Sequence, residues 1–197
     1  MNEAVKIEQR KNVFTNFSDE LKEEKIDGKI YLMATPVNEH IDVQENISTI
    51  FNNYFRQNKK RCRSRIEARL DFNITNYFRP DVMVFCYDNN KDIPIIVVEV
   101  LSISTRDKDL GVKMKKYAQL GIKEYWVVTW EIQSIDIYLL GDDGKYEQYK
   151  SYARFTEEDI LNEDEGEEDT EEIITEFSPV SIPELKIKLE DVFYFVT

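Results

Sequence analysis

Cysteine and histidine are scarce: the 197-residue chain holds two cysteines, Cys62 and Cys86, and one histidine, His40. Two thiols are too few for a disulfide framework or a four-ligand zinc site. Each lies in an apolar, strand-like segment, which reads as a reduced core pair in a cytoplasmic protein. Proline and glycine are also sparse, five and six, and no linker rich in them and no repeat divides the chain. A single domain over residues 1–197 is therefore expected, long enough to bury a core. Long hydrophobic runs are missing too. The longest, Ile93 to Leu101, is interrupted by Pro94 and Glu99 and cannot span a bilayer. Met1 to Glu20 is polar and charged, without the apolar segment of a secretory signal. These readings point to a cytoplasmic location and to no membrane partner.

Basic residues are outnumbered, 26 to 39, for a formal charge of −13. The deficit is local. Thr156 to Phe177 carries twelve acidic residues and no basic one, so the rest of the chain balances 26 against 27. A local basic patch thus stays open, and nucleic acid is not excluded as a partner. The acidic stretch 157–176 reads as a helix/loop insertion, either a solvated segment or a mimic of nucleic acid that guards a basic groove.

Residues 1–27 read as an amphipathic helical lead-in, closed by the Asp27-Gly28 turn and followed by a strand at 29–33. Val43, Ile47, Ile50, Phe51 and Tyr54 repeat with helical spacing and predict a helix over 38–57, capped by Thr35 or Asn38. From 61 to 72 apolar and charged residues alternate, which predicts one half-buried strand. A turn at 73–77 leads to a strand at 80–87, and a turn at 88–90 to PIIVVEVLS (94–102), apolar on both faces as in a sheet covered on both sides. A helix over 105–120 ending at Gly121, strands at 124–130, 134–140 and 145–149, and an alternating 185–189 complete the order. The fold class is α/β: a mixed central β-sheet flanked by helices, with one parallel crossover through the 105–120 helix.

Glu99 is the informative residue. An ionised carboxylate inside the most apolar strand is costly unless paired or coordinated. Asp81 opens a neighbouring strand after Pro80. Two carboxylates facing one cleft raise each other's pKa. A divalent cation relieves that conflict, and Mg2+ takes one or two carboxylates plus water and phosphate oxygens. The chemistry also calls for a nearby cation. No lysine stands on the Glu99 face of its strand. On the following helix Lys113 borders the core stripe of Leu110, Met114, Tyr117 and Ala118, whereas Lys108 and Lys115 point away and Lys116 is intermediate.

Three stretches, RPDVMVF (79–85), VVEVLSIST (97–105) and DLGVKMKKYAQLGIKEYWVV (109–128), resemble the "Putative restriction endonuclease" family of the PD-(D/E)XK nuclease superfamily. MATPVNEH (33–40) and PELKIKLEDVF (183–193) match that family's ends, so the likeness covers roughly residues 28 to 193. The resemblance implies a restriction-endonuclease-like fold and Mg2+-dependent phosphodiester cleavage, with Mn2+ able to substitute. By position, Asp81 and Glu99 would be metal ligands, helped by the backbone carbonyl of Val100. The motif lysine would stand at 101, where this chain has Leu. Family members commonly show this departure, with a helix lysine taking over; here that is Lys113. His40 matches a histidine of the family pattern.

Each residue also has a plainer reading. Glu99 could pair with an arginine, Asp81 could start a strand, Lys113 could face solvent, and His40 could be a satisfied core residue instead of supporting the site. Glu39 is a further candidate. Glu67 would either approach the metal or pair with Arg65 or Arg69. Asp109 suits the positive start of its helix, which Ser102 and Ser104 would cap. Lys59, Lys60, Arg61, Arg63 and Arg65 either track a phosphate backbone or form a solvated strand face. The expected function is a Mg2+-dependent endodeoxyribonuclease acting on DNA, as a homodimer if both strands are cut. The alternative is a catalytically inactive nuclease fold serving as a binding module.

Overall fold

The computed structural model describes residues 22–87, 93–101, 106–155 and 174–196, without the side chains of 106–109. The described chain starts with a hairpin, β1 (Glu23–Ile26) and β2 (Lys29–Leu32), turned by Asp27 and Gly28, both at positive φ. Helix α1 (Asn38–Gln57) follows. Then come β3 (Cys62–Ile66), β4 (Leu70–Asn73), β5 (Asn76–Phe78), β6 (Val82–Cys86) and β7 (Ile96–Leu101). Helix α2 (Arg106–Leu120) crosses over to β8 (Glu124–Thr129), which leads to β9 (Ser134–Leu140) and β10 (Tyr146–Ala153). β11 (Glu176–Phe177), β12 (Ile187–Lys188) and the short α3 (Leu189–Val192) close the order.

The central sheet runs β10-β9-β8-β7-β6-β3. Only the β7–β8 pair, joined by α2, is parallel there. Both faces are covered, which is why β7 and β8 are buried at every position. Val43, Ile47, Phe51 and Phe55 of α1 pack on Val82, Val84, Val98, Val100 and Trp126, together with the C-terminal Leu185, Ile187, Val192 and Phe193. The opposite face carries Met83, Phe85, Val97, Leu101, Tyr125 and Val127 under Tyr117 of α2. A second sheet, ordered β2-β1-β5-β4, adds Leu70 and Phe78 to that cluster. No helix among the described residues is long and apolar enough to cross a membrane.

Several elements differ from the sequence expectation. Glu23–Ile26, assigned to a helical lead-in, is a strand of the second sheet; residues 1–21 lie outside the described set. The single strand expected over 61–72 is two strands in two sheets, broken at Glu67, which takes a positive φ of 47°. Alternation persists across such a break because each half has a buried face of its own. The turn expected at 73–77 is tighter: the Asn73 side chain accepts from Thr75 and Asn76, and β5 begins at once. Helix α1 has no side-chain cap; Val37 occupies the N-cap position. The 185–189 stretch pairs with β11 in a small sheet of its own. Cys62 and Cys86, read as reduced thiols, form a disulfide. They stand directly opposite in the β3–β6 register, with Cα atoms 4.1 Å apart, within reach of a bridge in any oxidising setting. The reduced pair is therefore no longer one of the grounds for the cytoplasmic expectation. The 88–90 turn, Ser102, Ser104, the side chains of Lys108 and Asp109, and residues 157–173 of the acidic stretch lie outside the described residues.

Candidate active site

Strands β6 and β7 pair from Val84↔Ile96 to Val82↔Val98 and then part. Extending the register by one sets Asp81 opposite Glu99, and by two sets Pro80, which has no N–H, opposite Val100. The Asp81 side chain fills the break: Oδ2 accepts the Val100 N–H at 2.6 Å. Its other oxygen accepts the Gln44 amide at 2.6 Å and lies 3.1 Å from His40 Nε2. His40 and Gln44 stand one turn apart on α1, where i and i+4 share a face, and their side-chain nitrogens lie 2.9 Å apart. Both are aimed at Asp81 by the helix that packs the sheet.

Glu99 is 2% exposed and Asp81 5%. The Glu99 carboxylate accepts from the Tyr117 hydroxyl at 2.6 Å and from Lys113 Nζ at 3.1 Å. Lys113 also lies 3.2 Å from Glu24 Oε1, the oxygen that accepts the Arg79 N–H at 2.9 Å. Two carboxylates, Glu99 and Glu24, therefore contact one lysine, and Asp81 adds its field. Burial pushes the Glu99 carboxyl up; Lys113 opposes that, but Asp81 and Glu24 add to it, and the pKa stands at about 8. Burial disfavours the Lys113 ammonium, yet Glu99, Glu24 and Asp81 outweigh it and raise its pKa. Burial, and after it Glu99 and Glu24, hold Tyr117 well above its usual value, so it stays a neutral donor.

The structure thus brings Asp81, Glu99, Lys113 and His40 together, with Val100 joined to Asp81 through its amide. Glu99 has lysine and tyrosine partners, not the arginine of its plainer reading, and Lys113 is turned inward. Glu67 pairs with Lys22 instead of Arg65 or Arg69. Lys116 pairs with Asp27, and Lys115 is exposed. Three participants were not singled out from the sequence. Glu24 sits in a four-residue polar strand with no apolar rhythm to mark it. Gln44 could have been noticed as a polar residue one turn beyond His40 on the buried side of α1. Tyr117 was counted as core, where its ring belongs, while its hydroxyl serves the site.

The donor set fits a hard cation. Asp81 and Glu99 offer carboxylate oxygens at one break in the sheet; burial is the main cause of the raised Glu99 pKa, and the charges of Asp81 and Glu24 add to it against the opposing Lys113. Among the described residues no three His, Cys, Asp or Glu side chains gather closely enough to share an ion. The remaining positions would fall to backbone, water or phosphate oxygens, the coordination Mg2+ favours.

The model of the Uma2 family, whose description is "Putative restriction endonuclease", matches residues 9–173. The chain belongs to the Uma2 family. An uncharacterized Synechocystis protein, slr1290, is 32% identical over 133 residues, covering 64% of this chain and 70% of that protein. A crystal structure from Anabaena variabilis, described as a putative nuclease belonging to DUF820, superposes with a TM-score of 0.66. At 17% identity, over 95% of this chain and 98% of that one, the likeness is one of fold. The Uma2 chain therefore has the expected mixed α/β architecture of a nuclease-like protein.

Proposed function

We propose that this Uma2 protein is a Mg2+-dependent endodeoxyribonuclease that hydrolyses phosphodiester bonds in DNA. One observation carries the reading: two buried carboxylates, Asp81 and Glu99, hold opposite positions at the break between β6 and β7, close enough for Asp81 to raise the Glu99 pKa, with Lys113 between Glu99 and Glu24. Mg2+ would be held by Asp81 and Glu99 with the Val100 carbonyl, and supplies Lewis acidity toward a phosphodiester and toward water. The chain's own groups do the rest. Gln44, His40 and the Val100 amide fix both Asp81 oxygens. Tyr117 fixes Glu99 and favours its ionised form. Lys113 donates to charge developing on the phosphate, as preorganised cations do in phosphoryl transfer. Cutting both DNA strands would take two such sites, which favours a homodimer.

Leu101 supports a second reading, a nuclease fold that binds without cutting. It is buried in the α2-side core, at the position where the family motif has its lysine. Calorimetric titration with Mn2+ and Mg2+, paired with plasmid nicking, separates the two. The enzyme reading expects metal binding at neutral pH with proton release, since Glu99 must ionise, metal-dependent nicking, and loss of both in Glu99→Ala. Metal binding without nicking favours the second reading. A wild-type protein that neither binds these metals nor nicks DNA would rule out the enzyme.

A further inference from the structure

Among the described residues, strand β3 is one of the two edges of the central sheet, the other being β10. Its Arg63 and Arg65 stand opposite Phe85 and Met83 of β6, so they lie on the sheet face that also carries Val97 and, two residues on, Glu99. Each guanidinium leans onto a ring one step along: Arg65 over Phe85 at 5.5 Å and Arg63 over Tyr87 at 5.0 Å from the ring centroids. The two rings are themselves stacked, with an interplanar angle of 13°. Arg61 continues the row, with its carbonyl accepting the Tyr87 N–H. It borders an open depression of about 470 Å³ with Cys62, Arg63 and Tyr87. All three arginines are exposed, and none has an acidic partner among the described residues.

Such a row is more ordered than a merely soluble strand face. Aromatic stacking holds a guanidinium in place while leaving its N–H groups free for phosphate oxygens. Alternate strand positions are spaced by about 7 Å, so Arg65 to Arg61 spans roughly 13 Å. The row begins beside Met83, one alternate position from Asp81, and leads away from the site.

We propose that Arg65, Arg63 and Arg61 form the track for the phosphate backbone of the DNA strand whose scissile phosphate lies at Asp81 and Glu99. This deepens the nuclease reading and rests on it.

The test measures binding, not cleavage. Fluorescence anisotropy of a labelled DNA oligonucleotide, as single strand and as duplex, is followed against NaCl concentration in EDTA. Wild type should bind with a steep salt dependence. Arg63→Gln/Arg65→Gln should bind at least tenfold more weakly, with the log–log salt slope reduced by about one per arginine removed. Arg63→Lys/Arg65→Lys should keep most of the slope, which shows that charge and not misfolding is being read. Lys145→Gln, at the tip of the distant β9–β10 hairpin, should match wild type. If wild type binds and Arg63→Gln/Arg65→Gln binds with the same affinity and slope, the track is overturned and the nuclease reading survives. If the track variants lose binding but wild type never cuts with any metal, the track stands and the nuclease reading falls. If wild type binds neither oligonucleotide at low salt, both fall.

Discussion

Tyr117 and Lys113 both hold Glu99, but their loss should have different consequences. The Tyr117 hydroxyl bonds the ionised carboxylate and so lowers the Glu99 pKa. Tyr117→Phe removes that bond while keeping the ring, so Glu99 should ionise at higher pH. The acidic limb of Mn2+ binding against pH should then move upward, and an unmoved limb would show that Glu99 ionisation does not control the site. Lys113→Met removes the cation that would meet developing charge on phosphate. Preorganised donors of this kind contribute about 100- to 1000-fold in turnover, and nicking should slow by that order while Mn2+ binding survives. If Mn2+ binding disappears with the lysine, Lys113 acts by shaping the carboxylates instead.

At the level of elements, the β3–β6 pair is stapled by Cys62–Cys86 across 24 residues of sequence. Closing a loop of that length removes chain entropy worth about 3 kcal/mol from the unfolded state. Cys62→Ser, or reduction of the native protein, should lower stability by about that amount in urea unfolding, with near-native secondary structure at low urea. Equal midpoints with and without reductant would mean that the bridge does not form in solution. Such a bridge is hard to read from sequence, because two cysteines reveal separation along the chain but not register. Helix α1 was legible to the residue because its apolar stripe, from Val43 to Phe55, follows a 3.6-residue period over about three turns. Strands β6 and β7 were legible because they are apolar and bounded by Pro80 and Pro94, and they exposed Asp81 and Glu99 as anomalies. Strand β1 was not legible: Glu23, Glu24 and Lys25 owe their place to hairpin pairing with β2 and to Arg79 and Tyr77. Glu24, the third carboxylate at Lys113, therefore stayed hidden with its strand.

The whole molecule combines a net charge of −13 with a buried carboxyl group whose pKa is raised. For metal-free protein the sign of the pH dependence follows. Glu99 titrates near its ordinary 4.5 when unfolded and near 8 when folded. Between those values the folded state holds a proton that the unfolded state has released, so stability falls as pH rises. The contribution is fully present below about 4.5 and is lost as pH passes through about 8. Repulsion among the other acidic groups also grows with pH, so the wild-type slope alone does not isolate Glu99. Glu99→Gln keeps the shape and removes the titration. Its denaturation midpoint should therefore decline less steeply across that window than that of wild type, and the difference should vanish below it. Saturating Mn2+ should oppose the wild-type decline, because an ion bound only to the folded state favours the ionised carboxylates. The same Mn2+ should leave Glu99→Gln nearly unchanged. Parallel pH profiles for the two proteins without metal would show that Glu99 is compensated locally, by Lys113 alone, and that no unbalanced negative charge is held there for a cation.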